Sequence, residues 1–274
     1  MALDHIDETF EDEKEMSFFD HIDALRAHLF RSAIVVLATT ILAFVNKYIL
    51  FDVIIFGPTR IDFWTYQLLC KLSYQLTGSN NYCISEMGFV LSNITMSGQF
   101  TQHIWIAFVS GIVLAFPYIL WEFWRFIKPA LSNKEKGYAK GIVFFGSLLF
   151  FSGILFGYYF LAPLSINFLG SYRVSDLVSN EINLESYISF ISTITFATGM
   201  VFELPILVYF LAKIGLINSS WMRKNRRYAI VIILVLAGVL TPSPDIASQV
   251  LMFVPLYGLF ELSIYVARAV EKSK

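Results

Sequence analysis

Six apolar segments dominate this 274-residue chain and restrict it to a fold that lies in a membrane. They cover residues 29–50, 104–120, 141–162, 187–212, 228–240 and 246–266. A helix crosses the hydrocarbon core of a bilayer with about 20 apolar residues, which most of these segments supply. A soluble domain is about 25% charged, whereas this chain is 15% charged. The sequence therefore predicts an all-α integral membrane protein with six transmembrane helices.

The fifth segment is the shortest and is joined to the sixth by a proline-rich turn. Residues 228–240 would span only about 20 Å at 1.5 Å per residue. Pro242 and Pro244 follow at once and end a helix firmly. Two arrangements fit this pattern. Either the pair is a hairpin that only just crosses a locally thinned bilayer, or it is a re-entrant pair buried in protein.

Basic residues are concentrated in two loops and at the C-terminus. Residues 121–140 and 213–227 each hold five lysines or arginines, and the tail 271–274 is also basic. The positive-inside rule places these segments in the cytoplasm. Six crossings then put both termini on the cytoplasmic side. The acidic segment 1–16 is predicted to be disordered and is the opposite of the basic start of a cleavable signal peptide.

The loop 51–103 is predicted to lie on the outer, periplasmic side. It is long and rich in Tyr, Asn and Ser, and long loops usually carry structure or function. Cys70 and Cys83 both lie in it. A disulfide between them is expected if the loop faces an oxidising compartment, and two free thiols are the alternative.

Several classes of function are disfavoured by composition and motifs. The net charge is −1, so no basic surface argues for nucleic acid. The four histidines are scattered without the spacing of metal ligands, and common hydrolase, kinase and nucleotide-binding motifs are absent. We therefore expect no enzymatic activity, no cofactor and no metal site.

Before the first span, the sequence predicts an amphipathic helix that begins at Ser17. Its apolar residues follow at helical spacing: Phe18, Ile22, Leu25 and Leu29. Asp23 and Arg26 lie three residues apart on a more polar face, at a spacing that allows an ion pair. The helix is either an interfacial anchor or part of a cytoplasmic binding surface.

Glu203 is the one charge within the apolar run 187–212, and it is followed by a helix-breaking Pro205. A carboxylate at the centre of a membrane costs about 2.5–3.5 kcal/mol on insertion scales and is usually functional. It could tie two helices together, or it could carry protons in a small-solute transporter. No inverted repeat and no second acid near mid-depth support the transporter.

The cytoplasmic segment 121–140 contains a second candidate acid. Pro129 is predicted to end the second span, and Ser132 or Asn133 can cap the next helix. Glu135 would then fall in the first turn, where the helix dipole favours an anion. It either complements the dipole or, beside Phe126 and the Arg26 helix, accepts a guanidinium group bidentately.

The chain resembles the TatC family of twin-arginine translocase receptors over about residues 17–270, which would form a single membrane domain. Five pieces carry the resemblance in order: His21-Ile-Asp-Ala-Leu-Arg-Ala-His-Leu29, Gly57-Pro58, Phe123-Trp-Arg-Phe-Ile-Lys-Pro-Ala-Leu131 with Glu135, Phe202-Glu-Leu-Pro205, and Leu240-Thr-Pro-Ser-Pro-Asp-Ile-Ala-Ser-Gln249.

The resemblance implies a concave six-helix bundle in the bacterial inner membrane that binds twin-arginine signal peptides of folded precursors. It implies partners of the TatA/TatB type with a single span, further copies of the chain, and export driven by the proton-motive force. Arg26, Phe126 and Glu135 would form the signal-peptide site. Glu203 would be a polar point on the concave face, while Asp245 and Gln249 would contact partners.

This chain departs from the family at residue 24. The family usually has a glutamate there, and Ala24 replaces it. We expect Glu135 to dominate arginine binding, with Asp23 or Asp20 as partial substitutes. Asp23 points about 100° away from position 24 on a helix. Pro58 matches a family proline at the start of the outer loop.

Overall fold

A computed structural model describes residues 18–78, 83, 87–127, 139–175, 177–240 and 246–273. The predictions for the segment 1–16 and for Pro129, Glu135 and Asp245 lie outside the described residues. The described α-helices are α1 (Phe18–Val45), α2 (Trp64–Thr77), α3 (Gly98–Ile127), α4 (Ala139–Phe156), α5 (Ala162–Ser171), α6 (Leu184–Phe202), α7 (Leu204–Lys213), α8 (Ser219–Lys224), α9 (Arg226–Leu240) and α10 (Ile246–Ser273). Two strands are β1 (Val90–Ser92) and β2 (Glu181–Asn183).

Helix α1 is one continuous helix that packs along α3. The predicted helix after Ser17 is present, and it continues into the first span because no glycine or proline interrupts the residues after Phe18. The face of α1 away from α3 is apolar and exposed, as at Phe30 and Leu37. Such a face suits contact with lipid.

Two short-range contacts hold α1 against α3 in the middle of the pair. The Thr39 hydroxyl donates to the carbonyl oxygen of Gly111 at 2.8 Å. A Cβ on Gly111 would stand only 2.8 Å from the backbone N and Cα of Thr40. Small residues allow this close approach, which is how helices gain packing energy in a bilayer.

A π-helical turn, Gly157–Leu161, joins α4 to α5 into one long helix. Pro163 explains the turn, since its ring has no N–H and would clash with the carbonyl of residue 159 in a regular helix. The Tyr159 carbonyl instead accepts a hydrogen bond from the Thr65 hydroxyl of α2. The outer loop is thus docked onto the helix at its irregular point.

Tyr66 fixes the same loop from within. Its hydroxyl lies 2.9 Å from the carbonyl oxygen of Pro58 and 3.0 Å from that of Pro163. Burial raises the pKa of the Tyr66 phenol, so the group keeps its proton and remains a donor. Pro58 is buried within a 3₁₀ turn, Gly57–Thr59.

The long outer loop contains regular secondary structure, and its short strands leave the predicted helical class of the fold unchanged. It contains α2 and a π-helical segment, Ile49–Ile55, and β1 pairs in parallel with β2 from the next outer connection. Three residues per strand are paired, with Val90 opposite Glu181. Cys70 and Cys83 are joined by a disulfide, which closes the segment after α2.

Five described helices are long and apolar enough to cross a membrane. They are Ile22–Val45, Gly98–Ile127, Gly141–Ser171, Leu184–Lys213 and Gln249–Lys272. The remaining candidate, α9, has 15 residues and is about 22 Å long. The prediction of six crossings with both termini on one side therefore stays a prediction, while the helical membrane architecture agrees with it.

The close contact at Gly111 generates a stability prediction. Replacing Gly111 by Ala should force α1 away from α3 and cost about 1–3 kcal/mol through overpacking. Gly258→Ala is the matched control, since nothing lies within 4 Å of a Cβ at that helical position. Thermal unfolding in detergent should show a lower transition temperature for Gly111→Ala only. Equal transition temperatures for the two variants would show that this contact does not hold the pair.

Candidate functional site

The basic end of the bundle is the end that holds the start of α1, the end of α3 and the start of α9. A buried carboxylate lies there between α1 and α3. The side chain of Glu122 is only 1% exposed. Its Oε2 contacts Nδ1 of His28 on α1, and its Oε1 accepts a hydrogen bond from the Tyr118 hydroxyl at 2.8 Å. A buried charge is tolerated only when it is paired and hydrogen-bonded, and these groups meet that condition.

Arg125 completes the surroundings of Glu122 from the solvent side. Its Nη1 lies 3.5 Å from Oε1 of Glu122, and its side chain is 45% exposed. The guanidinium group also lies over the ring of Trp121, with Cζ 5.3 Å from the centroid. A charge-assisted hydrogen bond is usually 2.7–2.9 Å long, so Arg125 is held loosely by the carboxylate and partly by the indole.

His28 connects this carboxylate to Phe126, a predicted site residue. The His28 and Phe126 rings meet edge to face with centroids 6.2 Å apart. Ala24 is one turn before His28 and shares its face of α1. The family's usual second glutamate would therefore stand on the face where Glu122 reaches across from α3.

Arg26 does not join this group. It is two residues before His28, so it is about 160° around α1 from that side chain. Arg26 and Asp23 are both exposed. The predicted ion pair between them is absent from the described residues. The structure thus brings Phe126 together with His28 and Glu122, and leaves Arg26 and Asp23 free to turn toward solvent.

Glu203 occupies the break between α6 and α7. Pro205 is in the first turn of α7, and because it cannot donate to residue 201, α6 ends at Phe202. The prediction of a helix break beside this acid is confirmed. Oε2 lies 3.4 Å from where a Cβ would stand on Gly146 of α4. That distance is an ordinary van der Waals contact, so α4 packs beside the carboxylate at Gly146.

The carboxylate of Glu203 is not neutralised by its surroundings. The amide of Phe150 faces it, but neither oxygen has a partner with hydrogen-bond geometry among the described residues. Exposed apolar side chains flank the break on either side, Met200 on α6 and Leu207 on α7. Both carboxylate oxygens are themselves buried beneath this apolar surface, so a donor from another helix could reach them only if the covering side chains moved aside.

Helices α9 and α10 are joined by polar contacts. Gln249 donates from Nε2 to the Leu234 carbonyl at 3.3 Å. Arg226 reaches Oε2 of Glu261 at 2.8 Å, and the Tyr257 hydroxyl donates to Oε1 at 3.0 Å. Glu261 is therefore satisfied by its own neighbours, which argues against a free relay acid. The described residues contain no group of three metal-ligating side chains.

A model of the family described as Sec-independent protein translocase protein (TatC) matches residues 20–255. The chain belongs to the TatC family. It is 40% identical to the Sec-independent protein translocase protein TatC of Blattabacterium sp. subsp. Periplaneta americana (strain BPLAN), over 96% of this chain and 99% of that protein. It is 32% identical to the protein of the same name from Carboxydothermus hydrogenoformans, over 95% and 96% of the two chains.

A solved structure agrees with the sequence relatives. The chain superposes on the crystal structure of the twin arginine translocase receptor TatC with a TM-score of 0.63 and 30% identity, covering 92% of this chain and 99% of that one. This TatC-family chain is therefore a multi-pass membrane component of a protein translocase. The resemblance inferred from five short motifs is confirmed.

Sequence reasoning missed Glu122 and His28. The second apolar segment ends at Leu120, which predicts a charged loop rather than a helix at Glu122. In fact α3 continues to Ile127, and Tyr118 and Glu122 are one turn apart on it. The spacing of Glu122 four residues after Tyr118, in a helical pattern that continues past Leu120, indicates that the two side chains can meet. The spacing of the histidines argues against a metal site but gives no signal for the contact of His28 with a distant carboxylate.

Proposed function

We propose that this chain is the core receptor of the twin-arginine translocase. It binds twin-arginine signal peptides of folded precursors at its cytoplasmic face and recruits TatA/TatB-type single-span proteins for export driven by the proton-motive force. The proposal places it in the bacterial inner membrane with both termini in the cytoplasm. The observation that carries it is the cluster of Glu122, His28 and Phe126 at the basic end of a TatC-family bundle.

The chemistry of this end suits a guanidinium group. Carboxylates bind arginine through two parallel hydrogen bonds, a geometry that the point charge of lysine cannot reproduce. Phe126 offers an aromatic surface beside the carboxylate. In this proposal Glu135 is the principal acceptor, and Asp23 and Arg26 line the exposed side of α1, where a peptide would first arrive.

Glu203 has a different role in the proposal. Its buried carboxylate has no hydrogen-bond partner among the described residues, and the helix of a signal peptide or a single-span partner would supply one by displacing the side chains that cover it. Gln249 and Asp245 belong to a second contact region at the α9–α10 turn, where partners assemble. Membership of a protein translocase family disfavours the alternative of a proton-coupled small-solute transporter.

Arginine selectivity tests the proposed receptor role. A purified, detergent-solubilised complex should bind a folded precursor with two arginines more tightly than the same precursor with two lysines. We expect about a tenfold difference in Kd, because one charged hydrogen bond is worth about 1.5–3 kcal/mol. Fluorescence anisotropy of a labelled precursor measures both affinities. Equal affinities for the two forms would contradict the proposal.

The Glu203 role predicts a separation of binding from transport. Glu203→Gln should fold normally, because no hydrogen bond within the described residues is lost. It should bind the twin-arginine precursor with unchanged Kd but transport it into vesicles several-fold more slowly. Glu261→Gln is the matched control for removing a carboxylate from a span. A Glu203→Gln protein that transports at the normal rate would contradict the assigned role.

A further inference from the structure

The structure contains a carboxylate that already holds a guanidinium group of the chain itself. Arg125 reaches Oε1 of Glu122 from solvent at 3.5 Å. The other contacts of Glu122 are made from within the helix pair, by Tyr118 on the same oxygen and by His28 on Oε2. The Glu122 side chain is 1% exposed, and what covers Oε1 on the solvent side is a half-exposed arginine.

We infer that Glu122 is a binding residue for one arginine of the signal peptide, and that Arg125 occupies its place until the peptide arrives. The inference rests on the proposed receptor function and deepens it. It also assigns a residue that replaces the carboxylate lost at Ala24. Glu122 reaches from α3 to His28, one turn along α1 from Ala24 on the same face. The acid thus comes from the opposite helix.

The contacts of Arg125 allow a peptide guanidinium to displace it from Glu122. Its contact with Glu122 is longer than the usual charge-assisted hydrogen bond of 2.7–2.9 Å. Its guanidinium group already lies over Trp121, at 5.3 Å, and the Trp121 side chain is 45% exposed. When a peptide guanidinium binds Oε1, Arg125 keeps this cation–π contact and loses only the weak one.

The other contacts of Glu122 keep its carboxylate oriented after a peptide arginine has replaced Arg125. Tyr118 and His28 stay in place because they are anchored on α3 and α1, and they hold the plane of the carboxylate. Phe126 packs against the edge of His28 and borders the same position. A peptide arginine would thus meet a pre-oriented acceptor, which limits the entropy lost on binding.

A double-mutant cycle between receptor and peptide tests the inference. Kd is measured for Glu122→Gln and the unmodified chain, each with an arginine–arginine and a lysine–lysine peptide. If Glu122 contacts a guanidinium, the substitution should weaken the arginine peptide about tenfold and the lysine peptide far less. If the residue only supports the fold, both peptides should weaken by the same factor, which would overturn the inference.

Arg125→Gln provides a second, independent variant on an exposed side chain. Removing the occupant should speed association of the arginine peptide several-fold, and the gain should vanish in the Glu122→Gln background. Arg227→Gln is the matched control, because that guanidinium also lies over an aromatic ring, 5.2 Å from Tyr228. Equal association rates for Arg125→Gln and Arg227→Gln would overturn the inference, and this holds even if Glu122→Gln fails to fold.

The two proposals fail in different ways. If the unmodified chain binds arginine and lysine peptides equally, the receptor function itself is wrong. If it prefers arginine but neither Glu122 nor Arg125 alters that preference or the association rate, the receptor function stands. In that case another residue supplies the carboxylate that is missing at Ala24, and only the inference on Glu122 fails.

Discussion

The buried carboxylate of Glu122 ties the basic ends of α1 and α3 together, and the arrangement of the candidate site depends on it. A charge with 1% exposure is sustainable only if its donors are fixed in place. One donor, His28, comes from α1, and another, Tyr118, comes from α3 itself. Breaking such a network by removing one partner leaves an uncompensated charge, so the two helices are constrained to stay together at this end.

The same chain places a second acid in the opposite situation. Glu203 lies at a helix break and packs beside Gly146, without a hydrogen-bond partner among the described residues. Glu122 is a buried acid whose hydrogen-bond partners organise the resting fold, whereas Glu203 is a buried acid without such partners among the described residues. This contrast supports a division of labour in which the first site recognises cargo and the second receives a helix. In the proposed translocase, recognition and transport would then be separable by single substitutions.

The helical membrane fold could be predicted because apolar length and proline position act locally. The break at Pro205 follows from a missing N–H and a ring clash, and both are properties of one residue. The cluster around Glu122 could not be found in the same way, because it depends on how α1 and α3 are aligned. Nothing local in the sequence states that His28 faces Glu122 across 94 residues.

Other differences have equally physical causes. No boundary separates the predicted amphipathic helix from the first span, because a helix with a polar face can continue into a lipid-facing helix without a break. The pairing of β1 with β2 joins two separate outer connections through backbone hydrogen bonds, which leave little trace in side-chain pattern. The hydrogen bond from Thr65 to the Tyr159 carbonyl likewise depends on the π-helical turn, which frees that carbonyl and is not evident from the sequence.

Photocross-linking tests the central claim most directly, that the basic ends of α1 and α3 receive the two arginines. A photoreactive residue placed beside the arginines of a signal peptide should label α1 within residues 22–28 and α3 within residues 121–127. The labelling should disappear when an excess of unmodified peptide is added. Specific labelling confined to α9 and α10, with none on α1 or α3, would contradict the account.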